Sequence, residues 1–156
     1  MNRKNIALVA HDNRKRQLIE WAEWNSATLL RHHLVCTGTT GRMVEAALRE
    51  RAGGDTVVDV QCLKSGPLGG DQQLGAMIAE EKIDLVIFFW DPMEPQPHDV
   101  DVKALLRIAV VYNIPTACNR STADFMISSP LMLLKYQPIV DDLSGYSDRE
   151  VSIASS

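Results

Sequence analysis

Short runs of apolar residues alternate along the chain with longer stretches in which apolar positions recur every three or four residues. Four runs predict buried strands: Asn5–Ala10 (NIALVA), His33–Thr37 (HLVCT), Asp84–Trp90 (DLVIFFW) and Pro115–Cys118 (PTAC). A weaker fifth, Val57–Leu63 (VVDVQCL), falls between the second and the third. These runs are rich in β-branched and aromatic residues and mostly lack strict alternation, as do strands covered on both faces. The intervening spacing predicts helices over Arg14–Leu30, Gly41–Glu50, Gln72–Ile83 and Val102–Val111. Their apolar stripes are Leu18, Trp21, Ala22 and Leu29; Met43, Val44, Ala47 and Leu48; Leu74, Met77 and Ile78; and Leu105, Leu106, Ala109 and Val110. Strand and helix alternate without a hairpin signal. The expected class is therefore α/β, a doubly wound, mainly parallel five-stranded sheet with helices on both faces. Residues 1–150 read as one domain, with a loop at Gly53-Gly54-Asp55 and a frayed tail over Val151–Ser156.

Composition narrows the partners. A chain of 156 residues is long enough for one core, since a domain of this size buries roughly 70% of its unfolded surface. The formal net charge of −4 offers no basic field for nucleic acid. An anionic ligand would need positive potential supplied locally, by a few side chains and helix amino-termini. Cys36, Cys62 and Cys118 are odd in number and form no CxxC spacing, so they are expected to be reduced, buried thiols without a chemical role. The apolar run IALVA is too short for a signal-peptide core or a membrane span. The expectation is a cytoplasmic protein that does not engage membranes.

In open parallel sheets, ligands bind beyond the carboxyl ends of the strands. The residues there are His11-Asp12; Gly38-Thr39-Thr40-Gly41; Ser65–Asp71; Asp91-Pro92, leading to His98-Asp99-Val100-Asp101; and Asn119. Polar residues of catalytic type follow all five strands. Thr37–Gly41 opens a helix, where glycines, hydroxyls and free N–H groups suit a phosphate, although a threonine N-cap alone produces much of the same pattern. Lys15, one turn beyond His11-Asp12, reaches the same edge. Ser65–Asp71 holds three glycines and a proline. Asp71 falls near a helix start, as a helix cap or a general base. The loop stiffened by Pro92, Pro95 and Pro97 ends in His98, which Asp99 or Asp101 would hold in one tautomer; one of these aspartates caps the next helix in the plainer reading. The two His-Asp pairs follow strands rather than sitting on helices of an all-α fold, so no metal is expected.

Five segments, IALVAHD at Ile6–Asp12, TGTTG at Thr37–Gly41, SGPLGGDQQ at Ser65–Gln73, FFWDP…PHDVDVKALLR within Phe88–Arg107 and NIPTACNRSTADFMISSP at Asn113–Pro130, together resemble the methylglyoxal synthase family. The resemblance runs from about Lys4 to about Pro130, with the motifs in the family's order. It implies a homohexamer that converts dihydroxyacetone phosphate into methylglyoxal and inorganic phosphate without a cofactor; Lys15 and Thr37–Thr40 lead to the expectation that the product phosphate also inhibits. It also implies roles. Asp71 matches the catalytic base, His98 the electrophile and Asp101 the carboxylate supporting that histidine. His11, Lys15, Thr37, Gly38, Thr39, Thr40, Ser65, Gly66 and His98 match substrate and phosphate contacts, and Asp12 and Asp91 match supporting acidic positions. A family arginine that contacts phosphate in a neighbouring subunit has only Arg149 as its counterpart, in surroundings (GYSDREVSIASS) that match the pattern poorly. Residues Arg49–Thr56 look like an insertion. The rival is a regulatory domain of this fold, as in carbamoyl-phosphate synthetase, which senses small phosphorylated effectors and catalyses nothing. The presence of Asp71, His98 and Asp101 together argues for the enzyme.

Overall fold

A computed structural model of the chain describes residues 2–142 and residue 145. It contains strands β1 (Asn5–Ala10), β2 (His33–Cys36), β3 (Val60–Cys62), β4 (Leu85–Phe89) and β5 (Thr116–Ala117). The helices are α1 (Lys15–Trp24), α2 (Ser26–Leu29), α3 (Thr40–Ala52), α4 (Gly70–Ala79), α5 (Asp99–Val111) and α6 (Arg120–Ile127). All strand pairings are parallel, in the order β3-β2-β1-β4-β5. The chain winds outward from β1 to β3, then crosses back and continues from β4 to β5. Topology therefore reverses between β1 and β4, where a crevice opens at the strands' carboxyl ends.

The pleat divides the core in two. Ile6, Leu8 and Ala10 of β1 face one way and pack with Leu18, Trp21, Val44 and Leu48 of α1 and α3. Ala7 and Val9 face the other way and pack with Leu74, Ile78, Leu105 and Ala109 of α4 and α5. Both faces are thus covered, which explains why the strands read as continuous apolar runs.

Several expectations are corrected. The helix expected over Arg14–Leu30 breaks at Asn25, whose Nδ2 donates to the Trp21 carbonyl at 2.9 Å and so competes with the helical ladder. Met43 and Val110, placed on buried stripes, are exposed. Cys62 is exposed at the edge strand and Cys118 half-buried; only Cys36 is buried, and burial pushes its thiol up to about 12. Asn119 is a structural cap: its side chain accepts the Thr122 N–H at 2.9 Å and starts α6. That helix was not expected. It anchors the first core through Asp124, which accepts the Trp21 indole N–H at 3.0 Å.

Candidate active site

A cavity of about 80 Å³ lies at the carboxyl ends of β1, β2, β3 and β4. Ten of the candidate residues line it: His11, Asp12, Lys15, Thr37, Gly38, Thr40, Ser65, Gly66, Asp71 and His98. Pro67 and Gln96 join them unforeseen. A larger, apolar cavity of about 170 Å³ lies at the opposite edge, beside Lys4, Leu85 and Met132, and has no comparable convergence of ionisable groups.

One wall gathers hydroxyls, an ammonium group and a helix amino-terminus. The loop after β2 delivers Thr37, Gly38, Thr39 and Thr40 to the start of α3, whose N–H groups are free at the first turn. Neither threonine is spent on capping: α3 has no side-chain cap. Instead Thr39 Oγ1 accepts from Lys15 Nζ at 3.1 Å, and the Thr40 hydroxyl is buried without a partner. Asp12 Oδ1 takes a second Lys15 proton at 2.9 Å, and the contact holds Asp12 below its usual carboxylate range. An ammonium carries three donors, so one remains for a ligand.

The opposite wall holds the acid–base groups. Asp71 lies in the first turn of α4, and His98 occupies the N-cap position of α5. His98 Nε2 stands 3.6 Å from Asp71 Oδ2, with both side chains almost fully buried. Asp71 Oδ2 and His98 Nδ1 have no hydrogen-bond partner. Burial raises the Asp71 pKa; His98 opposes that shift and Asp101 adds to it. Gly66 makes the approach possible, because a Cβ there would lie 2.8 Å from His98 Nε2 and 3.3 Å from Asp71 Oδ2. Gly70 is equally constrained, since its Cβ would sit 1.9 Å from the Lys64 carbonyl oxygen.

The expected histidine–carboxylate pairing is changed. Asp99 accepts the Gln96 N–H at 3.2 Å, and neither Asp99 nor Asp101 caps α5, which has no side-chain cap. Asp101 bonds His98 through its backbone N–H to the His98 carbonyl at 2.9 Å, but His98 Nδ1 is left without a carboxylate. The fixed tautomer belongs to His11. Its Nδ1 accepts the Asp91 backbone N–H at 3.0 Å, which leaves the ring proton on Nε2. Burial, then the neighbouring His98, lowers the His11 pKa and favours the neutral ring. Asp91 lies behind His11 rather than on the cavity wall. Thr39 reaches the site only through Lys15, and Arg149 lies outside the described residues.

The buried Asp71–His98 pair faces the threonine loop across the cavity of a doubly wound sheet, and comparison with known proteins places that fold in a family. Residues 17–118 match the family model described as MGS-like domain. The methylglyoxal synthase of Maridesulfovibrio salexigens is 59% identical over 153 residues, covering 95% of this chain and 98% of that protein. The chain belongs to the methylglyoxal synthase family. The methylglyoxal synthase of Coxiella burnetii is 52% identical over 149 residues, covering 96% of this chain and 99% of that one. The crystal structure of methylglyoxal synthase from Elizabethkingia anophelis superposes with a TM-score of 0.86 at 52% identity, covering 97% of this chain and 95% of that chain. Sequence reasoning also missed Asn13, which lies outside the cavity and whose Nδ2 donates to Asp91 Oδ2 at 3.0 Å. No motif marks it, because its partner is distant in sequence.

Proposed function

We propose that the chain is a phosphate-eliminating lyase that converts dihydroxyacetone phosphate into methylglyoxal and inorganic phosphate through an enediolate. The buried Asp71–His98 pair, 3.6 Å apart and facing the threonine loop, carries this reading. Asp71 removes a proton from the hydroxymethyl carbon, and the electron pair moves onto the carbonyl oxygen. His98, with the Nε2–H of His11 beside it, donates to that oxygen and stabilises the developing charge. The hydroxyl on the deprotonated carbon then gives its proton to the departing phosphate and becomes the aldehyde carbonyl, the double bond shifts toward the phosphate-bearing carbon, and the carbon–oxygen bond breaks with its electron pair leaving on the phosphate oxygen. The departing enol takes up a proton to become methylglyoxal. Lys15, Thr37, Gly38, Thr39, Thr40, Ser65 and Gly66 hold the phosphate so that its C–O bond stands across the enediolate plane, where the orbitals overlap. Holding that bond in the plane would suppress the elimination and favour isomerisation.

Asp101 supports the pair by raising the Asp71 pKa, and Asp12 and Asp91 hold Lys15 and His11. Inorganic phosphate, the product, competes at the threonine loop. The working form in this reading is a homohexamer: Leu68, Met93 and Val100 are exposed and supply apolar surface for a second copy, and Arg149, outside the described residues, is the candidate phosphate contact across subunits. A phosphorylated metabolite as substrate fits an enzyme that works in the cytoplasm. Among the described residues no helix is long and apolar enough to cross a membrane.

The test is to incubate the purified protein with dihydroxyacetone phosphate, without added metal, and follow phosphate and methylglyoxal together. Equal release of both is the expected result. Binding without release would turn the reading to a sensor of phosphorylated effectors, and formation of glyceraldehyde 3-phosphate would mean an isomerase.

A further inference from the structure

Asn13 takes no part in the scheme above, yet it ends a chain of hydrogen bonds that reaches the site. It is exposed on the short 3₁₀ turn after β1. Its Nδ2 donates to Asp91 Oδ2 at 3.0 Å, while Asp91 Oδ1 accepts the Met93 N–H at 3.1 Å. The Asp91 backbone N–H then donates to His11 Nδ1 at 3.0 Å. The path leaves the loop after β1, crosses to the loop after β4 and returns to the histidine two residues before Asn13.

Asp91 offers His11 two groups of opposite character. Its backbone N–H only donates and puts the ring proton on Nε2. Its carboxylate only accepts, and would draw the ring proton to Nδ1 if it turned toward the imidazole. The carboxylate is kept away by the Met93 and Glu94 backbone N–H groups and by Asn13, which supplies the side-chain bond. His11 Nε2 is buried with no partner, and the ring is fixed edge-on to Phe88 with centroids 5.2 Å apart. A neutral ring with its proton on Nε2 is a donor for a ligand's oxygen; with its proton on Nδ1 it presents only a lone pair.

We propose that Asn13 is a positioning residue: by holding the Asp91 carboxylate it keeps the Asp91 N–H on His11 Nδ1, and so keeps the His11 proton on Nε2, where a substrate oxygen receives it. The kinetic part rests on the methylglyoxal-forming reading of the cavity; the tautomer part does not.

The experiment compares Asn13→Ala, Asn13→Asp and Asn13→Gln with the unaltered chain by NMR of isotope-labelled histidine, alongside phosphate release from dihydroxyacetone phosphate and thermal melting. The unaltered chain and Asn13→Gln should show a single Nε2–H tautomer for His11. Asn13→Ala and Asn13→Asp should show the Nδ1–H form, the latter more strongly because its carboxylate repels that of Asp91. Losing an oxyanion donor outright costs about 10²–10³-fold in kcat. Partial loss of the His11 donor should therefore lower kcat about tenfold in Asn13→Ala, with Tm unchanged and kcat restored in Asn13→Gln. An Nε2–H tautomer that persists in both Asn13→Ala and Asn13→Asp overturns the proposal. So does a shifted tautomer with unchanged turnover, or a loss of rate that only follows a loss of Tm. If the unaltered chain does not turn over dihydroxyacetone phosphate, the reading of the site fails, and the tautomer still decides whether Asn13 holds the ring.

Discussion

Replacing Gly66 with alanine inserts one methyl group between the two groups that the proposed chemistry requires. The new Cβ would lie 2.8 Å from His98 Nε2 and 3.3 Å from Asp71 Oδ2, where ordinary contact begins at 3.4 Å. The imidazole must retreat by about 0.6 Å, the difference between 3.4 and 2.8 Å. The displaced atom is the tip of a side chain rather than backbone, so the fold yields at modest cost. Overpacking costs about 1–3 kcal/mol in general; the lower end applies here, a fall of about 2–4 °C in Tm for a domain of this size. Catalysis is less tolerant, because a misplacement of about 1 Å can cost about 10²-fold. Gly66→Ala should therefore lower kcat by about 10- to 100-fold. The assay is phosphate release from dihydroxyacetone phosphate with a parallel thermal melt. Gly54→Ala is the control, since nothing lies within 4 Å of its Cβ. Wild-type kcat in Gly66→Ala would refute the claim that Gly66 is needed for the close approach of base and imidazole. Equal losses in Gly54→Ala would show that the effect is not local.

Turnover should fall with decreasing pH through an acidic limb set by Asp71, which acts as a base only when ionised. Burial raises its pKa, so that limb should lie above the ordinary carboxylate range; a limb at or below that range would contradict the assignment. The same shift carries a stability sign: ionised Asp71 disfavours the folded state above its folded pKa, and the penalty disappears as pH falls through it. Asp71→Asn should accordingly raise Tm at neutral pH, by an amount that shrinks toward acid, and a lower Tm at neutral pH would reverse that sign. Thr40→Val removes a buried hydroxyl that has no partner. The variant should be at least as stable as the parent while weakening phosphate inhibition by about tenfold or more, the worth of a hydrogen bond to a charged group. Unchanged inhibition would take Thr40 out of the anion grip.

The sheet was legible because its strands are covered on both faces. Asn5–Ala10 matches β1 residue for residue, and the other strands lie inside their expected runs. Helix α6 was missed because it is short: its stripe is only Ala123, Met126 and Ile127, of which Ala123 alone is fully buried, and exposed Phe125 interrupts the pattern. Asn119 illustrates a deeper ambiguity. The residues that cap helices are those that bind ligands, and only the hydrogen bond to Thr122 separates the two uses. Thr39 and Thr40 also stand at a helix start, yet they cap nothing, which leaves their hydroxyls free for the proposed anion grip. Strand-end logic assembled the cavity, since ten candidates from the segments after four strands meet there. Their individual roles came from resemblance to a family. Asn13 was invisible to both, because it acts through one tertiary hydrogen bond from an exposed position.

The central claim is that Asp71 removes the proton whose loss leads to phosphate departure. Its most direct test is to give dihydroxyacetone phosphate to the parent chain and to Asp71→Asn side by side, following phosphate and methylglyoxal together. A positioned base contributes about 10²–10⁴-fold, so the parent should release both products equally and the variant should release them at least about 100-fold more slowly, while still binding inorganic phosphate. Comparable release by Asp71→Asn would contradict the account.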